Sequence, residues 1–150
     1  MSDMRESERR CKILISASDA DEMISHAKAC FPQEACGLLS GNIEEDIKRV
    51  ARIYRMTNID ASGSHFSIEP KEQLAAIKDM RARGIVPLGN FHSHPETPAR
   101  PSEEDIRLAY DPAASYVIIS LAGETPVMRA FHIEDGAALD EEIEIFESYL

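Results

Sequence analysis

Basic residues are scarce in this chain of 150 residues: 16 Lys and Arg stand against 27 Asp and Glu, for a formal net charge of −11 at pH 7. Phosphate binding needs a concentrated basic face, so nucleic acid is excluded as the main partner, and so is docking on an anionic membrane. No apolar run approaches the roughly 18 residues that a membrane helix needs. The opening stretch, MSDMRESERRCK, has no apolar segment and does not read as a secretory signal. Cysteine is also sparse. Cys11, Cys30 and Cys36 form no CxxC pair, and an odd count suits neither a disulfide framework nor a four-cysteine zinc site. They read as small buried thiols in a reducing, cytoplasmic setting. There is no internal repeat and no low-complexity linker. Residues 1–11 read as a loose polar leader, and 12–150 as one domain.

Acid is concentrated toward the end of the chain. Seven carboxylates and no Lys or Arg lie between Glu134 and Glu147. Such a run reads first as a solvated edge and second as a surface for a basic partner.

Strands and helices interleave. Ile13-Leu14-Ile15 is a short apolar run with strand character. Ser18 stands three residues before Asp21, the spacing of a helix N-cap box. Ala20, Met23, Ile24, Ala27 and Cys30 follow at helical spacing, and Pro32 ends the pattern. Residues 34–41 read as a strand. Residues 47–56 read as its hairpin partner, with Ile47, Arg49, Ala51 and Ile53 on one face. Pro70 suits the first turn of a second helix, with Leu74, Ile77 and Met80 as its apolar face and Gly84 as its end. Strands are expected over 85–91 and 115–121, with a short helix over 102–110 between them. Val127 to Ile133 alternates as a half-exposed strand before the turn signal Asp135-Gly136. Periodicity does not decide between strand and helix through Ile143 and Ile145. The expectation is an α/β domain, a mixed sheet flanked by helices.

The chemistry is concentrated in Asn90-Phe91-His92-Ser93-His94-Pro95 and, six residues on, Ser102-Glu103-Glu104-Asp105. On a strand, residues two apart share a face, so His92 and His94 present two imidazoles side by side. Two imidazoles and one carboxylate make a three-ligand zinc set whose fourth position is left for water. A zinc hydrolase also needs a base that is not spent on metal. Ser102-x-x-Asp105 taken alone is a helix capping box, and that reading and a ligand reading can coexist. Cys36 shares a face with Glu34 and either lines a site or packs. Asn90 shares a face with His92 and is placed to orient a ligand. His26, His65 and His132 have no partners at ligand spacing and read as surface or structural residues. A nucleobase deaminase would need HxE and PCxxC elements, and neither is present.

The joint pattern resembles the JAMM motif of the JAB1/MPN/Mov34 metalloproteases: His92-x-His94-Pro95, six residues, then Ser102-x-x-Asp105. Glu34-x-Cys36-Gly37-Leu38 resembles that family's glutamate strand. Asn58, the Phe66-x-Ile68-x-Pro70 entry to the second helix and the strand from Tyr116 to Leu121 also match. The resemblance covers residues 13 to 135. It implies a cytidine-deaminase-like α/β fold and one zinc ion held by His92, His94 and Asp105. It further implies Glu34 as general base on a catalytic water, and Ser102 as hydrogen-bond donor to the oxyanion or to that water. The spacing is compact and lacks the insertions of the polyubiquitin-cleaving members. The Ala99-x-Pro101-Ser102 loop resembles the small stand-alone prokaryotic members. The resemblance therefore implies a partner with a Gly-Gly C-terminus, a small sulfur carrier or ubiquitin-like protein, cut just after that dipeptide. The leaving group would be an extension, a cysteine or a lysine. The extended tail is expected to add to a sheet edge through its main chain. A non-catalytic zinc-binding scaffold is the alternative.

Overall fold

The structure, a computed structural model, describes residues 12–147; the leader expected over 1–11, with Cys11, lies outside them. Strand β1 (Lys12–Ser16) runs without a loop into helix α1 (Ala17–Cys30). The helix is capped by Ser16, whose hydroxyl accepts from the Asp19 amide at 3.1 Å, and not by Ser18. The same hydroxyl chemistry has moved two residues forward, because the last residue of the strand already has the extended backbone a cap requires. Ala20, Met23 and Ala27 are the buried face of α1, as their spacing predicts.

Strands β2 (Cys36–Glu44) and β3 (Ile47–Met56) form the expected hairpin, but the face of β3 is not the one alternation suggests. Lys48, Val50, Ile53 and Met56 are buried, whereas Ile47, Arg49 and Ala51 are exposed. The pairing register slips between Ser40 and Gly41, leaving Ala51 as an extra residue, a β-bulge that flips the phase. Lys48 can face inward because its ammonium donates to Ala113 O at 2.6 Å, to Ser115 Oγ at 2.7 Å and to Leu88 O at 3.4 Å.

Helix α2 (Pro70–Arg83) starts at the predicted proline and stops at Gly84, whose φ of 71° is a left-handed cap that glycine adopts without strain. It leans on the outer face of β2 through Ala76 and Met80, against Cys36, Leu38 and Met56. Leu74, expected on that face, is 56% exposed.

Strand β4 (Val86–His94) extends past the predicted Phe91 to include both histidines. Helix α3 is a single short turn-and-a-half, Glu103–Arg107. Then come β5 (Ser115–Ser120), β6 (Val127–Glu134) and β7 (Ala137–Phe146), the last settled as a strand. Asp135 and Gly136, both at positive φ, make the predicted β6–β7 turn.

The mixed sheet closes on itself in the order β1-β3-β2-β4-β5-β6-β7, with β1 parallel to both β3 and β7. Its principal core joins Ile13, Ile15, Leu39, Val50, Leu88, Phe91, Val117 and Ile119 to the buried face of α1. Closure gives every strand a neighbour on both sides, although β1 covers β3 only over Ile47, Lys48 and Arg49. Much of the acid of β7 is matched along its neighbours: Lys12 reaches Glu142 and Glu144, and Arg129 pairs with Asp140. No described helix is long and apolar enough to cross a membrane.

Candidate metal centre

The site lies where the C-terminal end of β4 meets the segment leading into β2. Cys36 pairs with His92 in antiparallel register. Continued one step, that register sets Ala35 beside Ser93, where the two exchange bonds: Ser93 N donates to Ala35 O at 3.0 Å, and Ala35 N donates to Ser93 Oγ at 2.7 Å. One further step puts Glu34 opposite His94, on the same face as both histidines. A second bulge sets that face. The register of β4 against β2 slips at Leu88, so that Leu88 and Phe91 both point into the core while Asn90, His92 and His94 point away from it.

Pro95 ends the strand, and the loop carries the chain to Ser102, the N-cap of α3. Ser102 Oγ accepts from the Asp105 amide at 3.0 Å, and Asp105 Oδ2 accepts from the Ser102 amide at 2.9 Å. This capping box turns the Asp105 carboxylate toward the histidines. Its Oδ2 lies 3.2 Å from His92 Nε2 and 3.1 Å from His94 Nε2, and the two Nε2 atoms are 3.2 Å apart. Four ligands tetrahedrally placed at about 2.0 Å from an ion would lie about 3.3 Å from one another. The three donor atoms therefore sit at the mutual spacing that a small tetrahedral cation imposes. His94 Nδ1 donates to Pro98 O at 2.9 Å, which orients the ring with Nε2 facing Asp105. The His92 ring stacks on Phe66 at 4.6 Å. The residues thus fit a zinc ion in ligand type, number and spacing, and among the described residues they are the one such cluster.

The electrostatics agree. Burial opposes ionisation of Asp105, but hydrogen bonds from His92 and His94 outweigh it and hold the carboxyl well below the usual range. Burial moves Glu34 the other way, to about 7, opposed by the neighbouring His94. Glu34 is 3% exposed and its Oε1 has no hydrogen-bond partner. A carboxylate titrating near 7 without a committed partner has the properties of a base working at neutral pH.

Asn58 fastens the loop over 57–69 to this centre. Its amide group donates to Glu34 O and His65 O, both at 3.1 Å, and its Oδ1 accepts from the amides of Asp60 and Ser67. Ile59 N donates to Ser67 O and Glu69 N donates to Thr57 O, which pairs Asn58 with Ile68. In that arrangement the Ile68 amide and carbonyl point outward, giving a short free edge beside His92 and Asp105.

Cys36 is fully buried with its thiol pushed up to about 12 by burial, so it packs and does not ligate. His26 binds the Cys36 carbonyl at 3.0 Å, His65 pairs with Asp60, and His132 lies near Glu134; none joins the centre. Asn90 Oδ1 is buried without a partner and makes no bond to a ligand. Sequence reasoning missed Ser93. Its position between two ligands signals only that it faces the other way, yet its hydroxyl joins the glutamate segment to the histidine strand.

Residues 16–134 match the family model described as prokaryotic homologs of the JAB domain. A CysO-cysteine peptidase of Mycobacterium tuberculosis is 35% identical over 138 residues, covering 91% of this chain and 93% of that protein. A desampylase of Haloferax volcanii is 28% identical, over 75% of this chain and 83% of its own length. The solution structure of a Desulfitobacterium hafniense protein superposes with a TM-score of 0.84 at 51% identity, covering 91% of this chain and 94% of that one. With the family model spanning the Glu34 segment, the histidine pair and the Asp105 helix, the chain belongs to the prokaryotic JAB domain family.

Proposed function

We propose that this protein is a zinc-dependent peptidase that hydrolyses the bond after the C-terminal Gly-Gly of a small sulfur-carrier or ubiquitin-like protein. The convergence of His92, His94 and Asp105 beside a buried, uncommitted Glu34 carries the reading. The CysO-cysteine peptidase and desampylase names of its relatives support the substrate class.

His92, His94 and Asp105 would hold the ion, which when bound supplies a water activated near neutral pH and polarises the scissile carbonyl. Glu34, opposite His94, takes the proton from the attacking water and delivers it to the leaving amine. Its raised pKa suits both transfers. The Ser102 hydroxyl already accepts from the Asp105 amide, so its own proton is free to be donated to the oxygen on which charge develops, or to the water. The outward main chain of Ile68, beside His92 and Asp105, offers the tail an edge to pair with. A non-catalytic scaffold would need neither Glu34 nor Ser102, and would carry a buried orphan carboxylate at a cost.

The test is intact-mass spectrometry of a sulfur-carrier protein bearing a short extension after Gly-Gly. Loss of the extension with zinc-loaded protein, but with neither Glu34→Gln nor chelated protein, supports the reading. Cleavage that persists in Glu34→Gln or with chelator overturns it.

A further inference from the structure

Resting on that reading, we infer that Asn90 and Gln73 form a main-chain clamp at the junction of two clefts, and that the second cleft takes an apolar side chain of the substrate tail. The first cleft, about 380 Å³, reaches from His92 and Asp105 past Phe66, Ile68, Leu108 and Tyr110. The second, about 240 Å³, is walled by Leu38, Ile43, Ile77, Met80 and Pro87. Gln73, Asn90 and Tyr116 line both, so the two clefts adjoin along these side chains, the first beside His92 and Asp105 and the second farther back along β4.

The wall of the second cleft is mostly apolar, with Lys48 and Asp111 as its charged members, and the two carboxamides stand where the clefts adjoin. Asn90 Oδ1 is buried there without a partner, an arrangement that costs free energy unless an occupant donates to it. A carboxamide offers a donor and an acceptor together, as a peptide unit does. Asn90 and Gln73 can therefore hold an extended chain without reading its side chains. Lys48 lines the second cleft but offers it nothing, because its ammonium is already committed to Ala113, Ser115 and Leu88.

Position along the groove sets the register. Asn90 precedes His92 by two strand residues, roughly 7 Å at about 3.3 Å per residue. Pro87 lies a further roughly 7–10 Å back, depending on how much the bulge takes up. With the final glycine at the metal ligands, the third residue before the cut lies beside Asn90. The fourth or fifth enters the second cleft.

The probes are two N-terminally labelled hexapeptide amides, Ala-Leu-Leu-Ala-Gly-Gly and Ala-Asn-Asn-Ala-Gly-Gly. They have the same charge and similar size. They are titrated by fluorescence polarisation into zinc-loaded Glu34→Gln protein. The leucine peptide is expected to bind at least about 10-fold tighter. Ile43→Asn, at an exposed position on the cleft wall, should remove most of that preference. Asn90→Ala and, independently, Gln73→Ala should weaken both peptides about 3- to 10-fold with zinc content unchanged. Equal affinity of the two peptides, no binding of either, or weakening in Asn90→Ala only through loss of zinc would overturn the inference. Discrimination by the peptides together with no cleavage of the carrier fusion would leave the groove assignment standing and remove the peptidase reading; cleavage without discrimination would do the reverse.

Discussion

Ser93→Ala isolates the joint between the two halves of the site. Ser93 is fully buried and Ala35 is 1% exposed, so neither has water to fall back on. In the native protein Ser93 Oγ accepts from Ala35 N at 2.7 Å, while Ser93 N returns a bond to Ala35 O. Removing the hydroxyl leaves the second bond and orphans the Ala35 amide. An unpaired buried amide costs about 1–3 kcal/mol, against the few tenths expected if the hydroxyl were merely spare volume. For a domain of this size that corresponds to a melting temperature lower by about 3–10 °C. The assay is urea unfolding in chelator, because bound metal would add its own stabilisation to both proteins. Since Glu34 is carried on the loosened segment, kcat for a carrier fusion should also fall, by about 10-fold, while zinc content stays at the wild-type level. An unchanged urea midpoint would refute the reasoning. So would loss of zinc together with loss of activity, because the histidines and not the glutamate would then depend on Ser93.

Other perturbations separate the roles of neighbouring groups. Ser102→Ala should lower kcat about 100-fold, as loss of an oxyanion donor does, and cost about 1 kcal/mol as a lost cap; an effect confined to KM would count against the donor role. Asp105→Ala should lose zinc and destabilise α3, whereas Asp105→Asn, which can still accept from the Ser102 amide, should lose zinc with little change in the chelated protein's stability; elemental analysis and melting curves decide. Glu141 is 6% exposed, accepts from Ser115 and is raised in pKa by burial. Its contribution to stability is therefore complete below the ordinary carboxylate range and is lost as pH rises through the raised value. Glu141→Gln should unfold at higher urea than the wild type at pH 8 and show a flatter fall in stability between pH 5 and 8; parallel curves for the two proteins would contradict this.

Local chemistry was legible in the sequence; long-range registration was not. Pro70, Gly84 and the Asp135-Gly136 turn act through their own backbone preferences, so their effects can be read without a partner. The histidine pair was legible because a two-residue spacing on a strand has one geometric meaning. Alternation failed in β3, where a bulge at Ala51 shifts the phase and a lysine is buried through bonds to residues 40 to 67 positions away. It failed again for Leu74, because the tilt of α2 on the sheet is set by its contacts with Cys36, Leu38 and Met56 and not by its own periodicity. Closure of the barrel rests on β1 lying parallel to β7, a pairing between strands about 130 residues apart that no window of sequence contains.

Ser102-x-x-Asp105 could be read as a helix cap or as part of a metal site, and the structure makes these a single arrangement. Helix α3 has five residues and none of them is buried. A helix so short is not stable by itself, so its position depends on its ends. The cap fixes the N-terminal end, and the oxygen that closes it, Asp105 Oδ2, is the same atom that meets His92 and His94. The carboxylate is thus aimed at the two imidazoles, and its contacts with them and with the Ser102 amide favour its ionised form against the cost of its burial. The same cap occupies one lone pair of Ser102 Oγ and leaves its proton uncommitted. One residue pair three positions apart therefore closes the cap and sets the carboxylate beside the two imidazoles at once. That is why those two residue types at that spacing carry more information together than either reading of them alone.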